Sequence, residues 1–262
     1  MAETRVYLLD GGSLVIDGFH IFWNRGPAGE VRIPCYNVLV EHEEGRLLFE
    51  TGFDLDHTNA VLPFEKPLQT PEQTVPGQLA RVGLQPGDIT FVVNSHLHFD
   101  HCGGNKQLPD AQVVCHELEL EAARHPEPFE MLGYSDMGFA PGLREDAPAD
   151  AGDYHPEFRT ITGDVELLPG VRLFETPGHT VGHYSMMVEL EGRRPMLFTG
   201  DACYGPESLE LNCIASFHRD PSAGVRSLQR LRDLSAEHDA ELFFSHDQAS
   251  WESYVKAPDF YA

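Results

Sequence analysis

Basic residues are scarce: the 262-residue chain has 18 lysines and arginines against 42 aspartates and glutamates, a formal charge of −24 at pH 7. Binding a polyanion requires a basic face that displaces condensed counterions, so nucleic acid is excluded as a partner. An anionic membrane surface is disfavoured on the same ground. The chain also lacks any run of about 18 apolar residues, the length that crosses a bilayer. Its first segment, Met1 to Gly18, has no basic leader and is interrupted by Asp10, Gly11 and Gly12, so it does not read as a signal peptide. Cysteines number five, Cys35, Cys102, Cys115, Cys203 and Cys213, with no CxxC pair. That pattern argues against a disulfide scaffold and for reduced thiols in a cytoplasmic protein. The acidic excess does not mean disorder, because 41% hydrophobic and 10% aromatic residues are globular values.

What is present is a series of short, β-rich apolar segments bounded by turn residues. Val6–Leu9, Leu14–Ile16, Asn37–Glu41 and Arg46–Glu50 read as strands, with Glu43-Glu44-Gly45 turning between the last two. A helix is predicted over Val75–Val82, with Thr74 as cap and Pro76 in its first turn. Ile89–Asn94 and Gln112–Cys115 read as buried strands, and the latter leads into a helix over His116–Arg124. From His125 to Arg159 the chain is rich in Pro, Gly and acidic residues and loses its periodicity. The expectation is one domain over residues 1–262 with an insertion or lid around 125–160. Strand patterning resumes at Val165–Leu168, Val171–Glu175, His183–Leu190 and Met196–Thr199. An amphipathic helix over Ser222–His238 and a strand over Glu241–Ser245 follow. Two batches of strands, each closed by helices, predict an α+β or α/β fold of two sheets with helices outside.

The segment Ser95-His96-Leu97-His98-Phe99-Asp100-His101-Cys102-Gly103-Gly104 puts three histidines and an aspartate into six positions directly after a buried strand. Imidazole and carboxylate are the ligands of zinc and related divalent ions. Three later strands each end at one further ligand type: His179 in Thr176-Pro177-Gly178-His179, Asp201 in Thr199-Gly200-Asp201, and His246 in Ser245-His246-Asp247. A site at one edge of a sheet needs that arrangement.

This motif resembles that of the metallo-β-lactamase superfamily, and the resemblance runs over nearly the whole chain. It implies a four-layer αββα sandwich with a dimetal site at the edge of its sheets. Carried over residue by residue, His96, His98 and His179 would hold one metal, Asp100, His101 and His246 a second, and Asp201 would bridge them. His98, where redox-iron members tend to have Glu, favours two Zn2+ ions. Two such ions about 3.5–4 Å apart activate a bridging hydroxide and polarise a carbonyl, which suits hydrolysis.

Tyr204, three residues after Asp201, stands at the spacing seen in N-acyl homoserine lactonases, where the phenol supports the developing oxyanion. Asp100 would double as ligand and proton donor to the leaving alkoxide, as in related lactonases. Segments around Val6–Gly12, Phe22–Gly26, Leu62–Pro67 and Leu132–Asp136 resemble 4-pyridoxolactonases. The expected reaction is therefore opening of 4-pyridoxolactone to 4-pyridoxate in vitamin B6 degradation. Trp23, Arg25 and Phe64 would contact the flat ring, with Tyr134 and Phe139 in the lid. The alternative is an N-acyl homoserine lactonase, which needs an apolar trough for its acyl chain. A glutathione thioesterase would need more basic residues than these, and a phosphodiesterase is disfavoured by the charge. A non-catalytic metal-binding protein on the same fold is the reading from a different class, and it should have lost ligands that this chain retains. His183, four residues after His179, is at most an outer neighbour of the site, and Cys203 a weak competitor for zinc. A small-molecule lactone is the expected partner, and oligomeric state is not legible.

Overall fold

The computed structural model describes residues 4–135, 154 and 156–262. Among the described residues, eleven strands form two sheets. The first contains β1 (Arg5–Asp17), β2 (Glu30–His42), β3 (Gly45–Phe49), β4 (Phe91–Val93), β5 (Gln112–His116) and β6 (Phe158–Ile161), in that spatial order. The second contains β7 (Val165–Leu168), β8 (Val171–Glu175), β9 (Tyr184–Val188), β10 (Met196–Phe198) and β11 (Glu241–Phe243), ordered β11-β10-β9-β8-β7. β1–β3 are antiparallel, whereas β3 to β6 run parallel, as do β10 and β11.

Side-chain alternation along these strands builds the layers. Leu47 and Phe49 of β3 face Leu173, Met186 and Phe198 of the other sheet in the central core. Leu48 between them points outward, with Leu9, Val92 and Val113, against Val75 and Leu79 of helix α2 (Val75–Arg81). On the far side Met187 and Leu197 meet Leu228, Leu231 and Leu234 of helix α6 (Pro221–Glu237). The result is the expected αββα sandwich, a metallo-β-lactamase fold.

The helices at Val75–Val82, His116–Arg124 and Ser222–His238 are observed at Val75–Arg81, Glu117–Arg124 (α4) and Pro221–Glu237, each one residue or less from the expected ends. His116 caps α4 by accepting from the Leu118 N–H, and Asp220 caps α6 through the Ala223 N–H. The two strands expected at Val6–Leu9 and Leu14–Ile16 are one strand. A register shift between Asp10 and Ser13 absorbs Gly11-Gly12, and Gly12 adopts φ +98. Much of the expected lid, residues 136–153 and 155, including Phe139, lies outside the described residues. All five cysteines are buried thiols with no disulfide among them. Among the described residues no helix is long and apolar enough to cross a membrane.

Candidate metal centre

Four strand ends and one short helix deliver the chemistry. After β4 the chain runs through His96 to His98, which precedes the one-turn helix α3 (Phe99–Cys102) carrying Asp100 and His101. β8, β10 and β11 end just before His179, Asp201 and His246. All seven expected ligand positions come together.

His179 Nε2 lies 3.1 Å from His96 Nε2 and 3.0 Å from His98 Nδ1. Asp201 spans outward from this triad: its Oδ2 is 3.4 Å from His179 Nε2, while its Oδ1 is 3.3 Å from His101 Nε2 and 3.1 Å from His246 Nε2. Asp100 Oδ2 closes the second group, 3.6 Å from His101 Nε2 and 3.7 Å from His246 Nε2. Ligand atoms of His96, His98 and His179, of His96, His101 and Asp201, and of Asp100, His101 and His246 lie within 4.8 Å of one another in each group.

This donor set fits a pair of divalent ions. Three buried imidazole nitrogens cannot all be satisfied by protons between them, whereas a tetrahedral ion with bonds of about 2.0–2.1 Å sets its nitrogen ligands roughly 3.3 Å apart. Both ring nitrogens of His101, His246 Nε2 and Asp201 Oδ1 are buried without a hydrogen-bond partner. Each such orphan costs about 1–3 kcal/mol unless something completes it. Burial and the surrounding imidazoles push the His96 and His179 pKa values well below the ordinary range, so these rings are neutral and offer lone pairs. Burial alone would raise the Asp201 carboxyl, but His246, His101 and His179 outweigh it and hold the group ionised.

Neighbouring groups orient the ligands. His246 Nδ1 donates to the Pro34 carbonyl at 2.9 Å, which leaves its Nε2 lone pair facing the cluster. His183 is not part of any ligand group. Its Nε2 accepts the Asp201 N–H at 2.9 Å, so Nδ1 carries the proton and donates to Thr176 Oγ1, also at 2.9 Å. Thr176 in turn donates to Ser185 Oγ, and Ser185 to the Thr199 carbonyl, both at 2.8 Å. The Cys203 thiol donates to the Gly205 carbonyl within the outer core, away from the cluster, and burial pushes its pKa up to about 12.

Glu119 of α4 escaped the sequence reading. Fully buried, its carboxylate accepts from the N–H groups of Leu97 (3.0 Å) and Gly182 (3.1 Å) and from the Tyr134 phenol (2.9 Å). It thereby ties the His96–His98 loop to the His179 loop, and both to Tyr134, whose ring packs edge-on against His98 with centroids 4.7 Å apart. Only an acidic residue in an otherwise amphipathic helix signalled it, and that is ordinary.

A cavity of about 310 Å³ opens from the cluster. Leu14, Ile16, Ile33, Leu62 and Phe64 form an apolar wall, and Phe129, Leu132, Phe217 and His218 line it as well. Tyr204 lies at its floor, 6% exposed, with its ring 4.8 Å from that of His246. Burial, then Asp201 and Asp100, raise the Tyr204 pKa well above its usual value, so the phenol keeps its proton. Glu65 also lines the cavity, and burial and Asp100 raise its pKa to about 7. Of the expected substrate contacts, Phe64 and Tyr204 line the cavity. Trp23 and Arg25 are not among its lining residues: the Trp23 N–H pairs with the Ile214 carbonyl at 2.8 Å in a loop outside it.

With this fold and site, the chain belongs to the metallo-beta-lactamase superfamily, whose family model matches residues 31–246. Over their whole lengths, the chain is 32% identical to the N-acyl homoserine lactonase AttM of Agrobacterium fabrum. A crystal structure of a Bacillus thuringiensis AiiA variant with N-decanoyl-L-homoserine bound at the active site superposes over 100% of both chains with a TM-score of 0.83 at 29% identity. So does, at the same score and identity, an N-acyl homoserine lactone hydrolase with the product N-hexanoyl-L-homoserine bound at the catalytic metal center. These findings overturn the expected 4-pyridoxolactonase: full-length relatives are named for a different lactone. The physical reason is visible in the cavity. The segment around Trp23 and Arg25, expected to stack on a flat ring, is not part of the lining, and the lining apolar residues Leu14, Ile16, Ile33 and Leu62 lie beside Phe64.

Proposed function

We propose that the protein is a dizinc N-acyl homoserine lactonase, a single hydrolase domain acting on a small-molecule lactone. The carrying observation is the 310 Å³ cavity lined by Leu14, Ile16, Ile33 and Leu62 that runs directly from five of the clustered candidate ligands, His98, Asp100, His179, Asp201 and His246, with room and chemistry for an acyl chain. The names of the full-length relatives support it. His96, His98 and His179 would hold one ion, Asp100, His101 and His246 the other, with Asp201 between them. When bound, such a pair supplies a water-derived nucleophile at neutral pH and electrophilic pull on a carbonyl.

The chain's own residues do the rest. Leu14, Ile16, Ile33 and Leu62 take up the acyl chain and exclude water from the floor of the cavity. The Tyr204 phenol, kept protonated, donates to the carbonyl oxygen as negative charge develops there. Asp100, beside His101 and His246, is placed to take up the proton released by the attacking water and to return it to the ring oxygen as the carbon–oxygen bond breaks. The alcohol so formed stays attached to the new carboxylate, so no covalent enzyme intermediate is needed.

The test is ring opening of N-decanoyl homoserine lactone by zinc-loaded protein. Turnover that vanishes with a chelator and returns with zinc is expected. A zinc-loaded protein that leaves the lactone intact would overturn the reading.

A further inference from the structure

His218 lines the cavity beside His179, and the proposed chemistry has no use for it. It is 8% exposed, and its ring stands nearly perpendicular to that of His179 with centroids 5.4 Å apart. Neither ring nitrogen completes a hydrogen bond, although the Ala215 backbone pulls weakly on its proton. Native chains leave few buried polar atoms unpaired, and a ligand is one reason for doing so.

The surroundings make room for this ring. Gly224 stands near the start of α6, where a Cβ would lie 2.4 Å from His218 Cδ2 and 2.9 Å from its Nε2. Glycine inside a helix is otherwise unfavourable, so its presence here is explained by the imidazole it admits. Arg219, the next residue, is already engaged: its guanidinium donates to Glu130 at 3.0 Å. Along this side of the cavity Phe129, Leu132 and Phe217 are apolar. A polar group of a ligand entering there would lose its water. Of the polar side chains on this side, His218 offers both a donor and an acceptor, whereas Glu130 is paired with Arg219 and Ser216 donates to the Phe19 carbonyl.

A neutral imidazole offers one donor and one acceptor, the complement of a secondary amide. We propose that His218 is a specificity-determining residue that hydrogen-bonds the amide of an acylamino substituent on the lactone. It makes the protein prefer acylamino lactones over lactones carrying a bare alkyl chain. The proposal rests on the lactonase reading above.

The experiment compares the parent with His218→Phe and His218→Gln, all zinc-loaded and with metal content measured. Substrates are N-decanoyl homoserine lactone and a γ-lactone with an alkyl chain of matched length and no amide. Binding of the ring-opened N-decanoyl homoserine is measured alongside by calorimetry. The ratio of kcat/KM between the two lactones is expected to fall about tenfold or more in His218→Phe, chiefly through KM, and to recover partly in His218→Gln. Affinity for the ring-opened amide should fall in parallel. A loss shared equally by both lactones, a loss of zinc, or no change in the ratio would show that His218 only packs beneath His179, and would overturn the proposal. If the parent opens neither lactone, the lactonase reading fails. The calorimetry then decides His218 alone: weaker amide binding by His218→Phe supports it, and unchanged binding overturns it.

Discussion

At the scale of single residues, environment assigns roles that side-chain type leaves open. Burial beside Asp201 and Asp100 raises the Tyr204 pKa further, so the phenol proposed as donor stays protonated even in alkaline solution. Tyr204→Phe removes that donor and little volume, so kcat on an acyl homoserine lactone should fall about 100-fold with a smaller change in KM. Steady-state kinetics on the metal-loaded variant check this. Glu65 shows the opposite tendency, since burial and the Asp100 charge raise its pKa to about 7. Between the ordinary carboxyl pKa and 7 the folded chain binds the proton that the unfolded chain has released, so this group makes stability fall as pH rises. Glu65→Gln should therefore flatten the decline of Tm over that window in chelated protein. An unchanged slope in thermal melts would show that Glu65 ionises freely.

At the scale of elements, helices act on the site through what they carry inward. α4 contributes Glu119, which joins the loops of His96–His98 and His179. Glu119→Gln keeps the shape but puts an amide donor where acceptors are needed, and zinc affinity should drop about 10- to 100-fold in a chelator competition. α6 contributes the gap at Gly224. Glycine to alanine inside a helix ordinarily stabilises by about 0.4–1 kcal/mol. Here the new Cβ meets His218, so Gly224→Ala should instead lower stability, and adding His218→Ala should restore it. Denaturant unfolding of the single and double variants measures that coupling. Helix ends were legible to within a residue because their signals are local: Thr74, read as a cap, accepts from the Gly77 N–H, whereas the capping of α4 by His116 and of α6 by Asp220 emerged only in the structure. The fusion of the first two expected strands was not legible, because pairing with β2 carries β1 across its glycines.

At the scale of the whole molecule, the seven candidate metal ligands come from the ends of strands in both sheets. An ion bound there ties the two halves of the sandwich together and stabilises the folded state by mass action, about 2.7 kcal/mol at a free concentration one hundred times Kd. For a chain of this size that corresponds to roughly 5–10 °C. Chelation should lower Tm by that order and zinc should restore it, as differential scanning calorimetry would register. A Tm indifferent to metal would contradict ligation by these residues.

Strand periodicity and the dense His96–His101 segment, with candidate ligands at three later strand ends, are local signals, so the chain alone announced two sheets with helices outside and the types of the candidate ligands. The superfamily followed from the resemblance those residues carry. Which face of the cavity is apolar was settled only in three dimensions. Leu14, Ile16 and Ile33 sit on β1 and β2, Leu62 follows α1 (Leu55–Val61), and no spacing in the chain announces that they line one wall. The aromatic run around Trp23 looked like a binding surface by composition, yet backbone pairing with Ile214 holds it outside the lining. Glu119 and His183 likewise took their places from the partners that distant elements brought to them, since hydrogen bonding and burial depend on what lies across the fold.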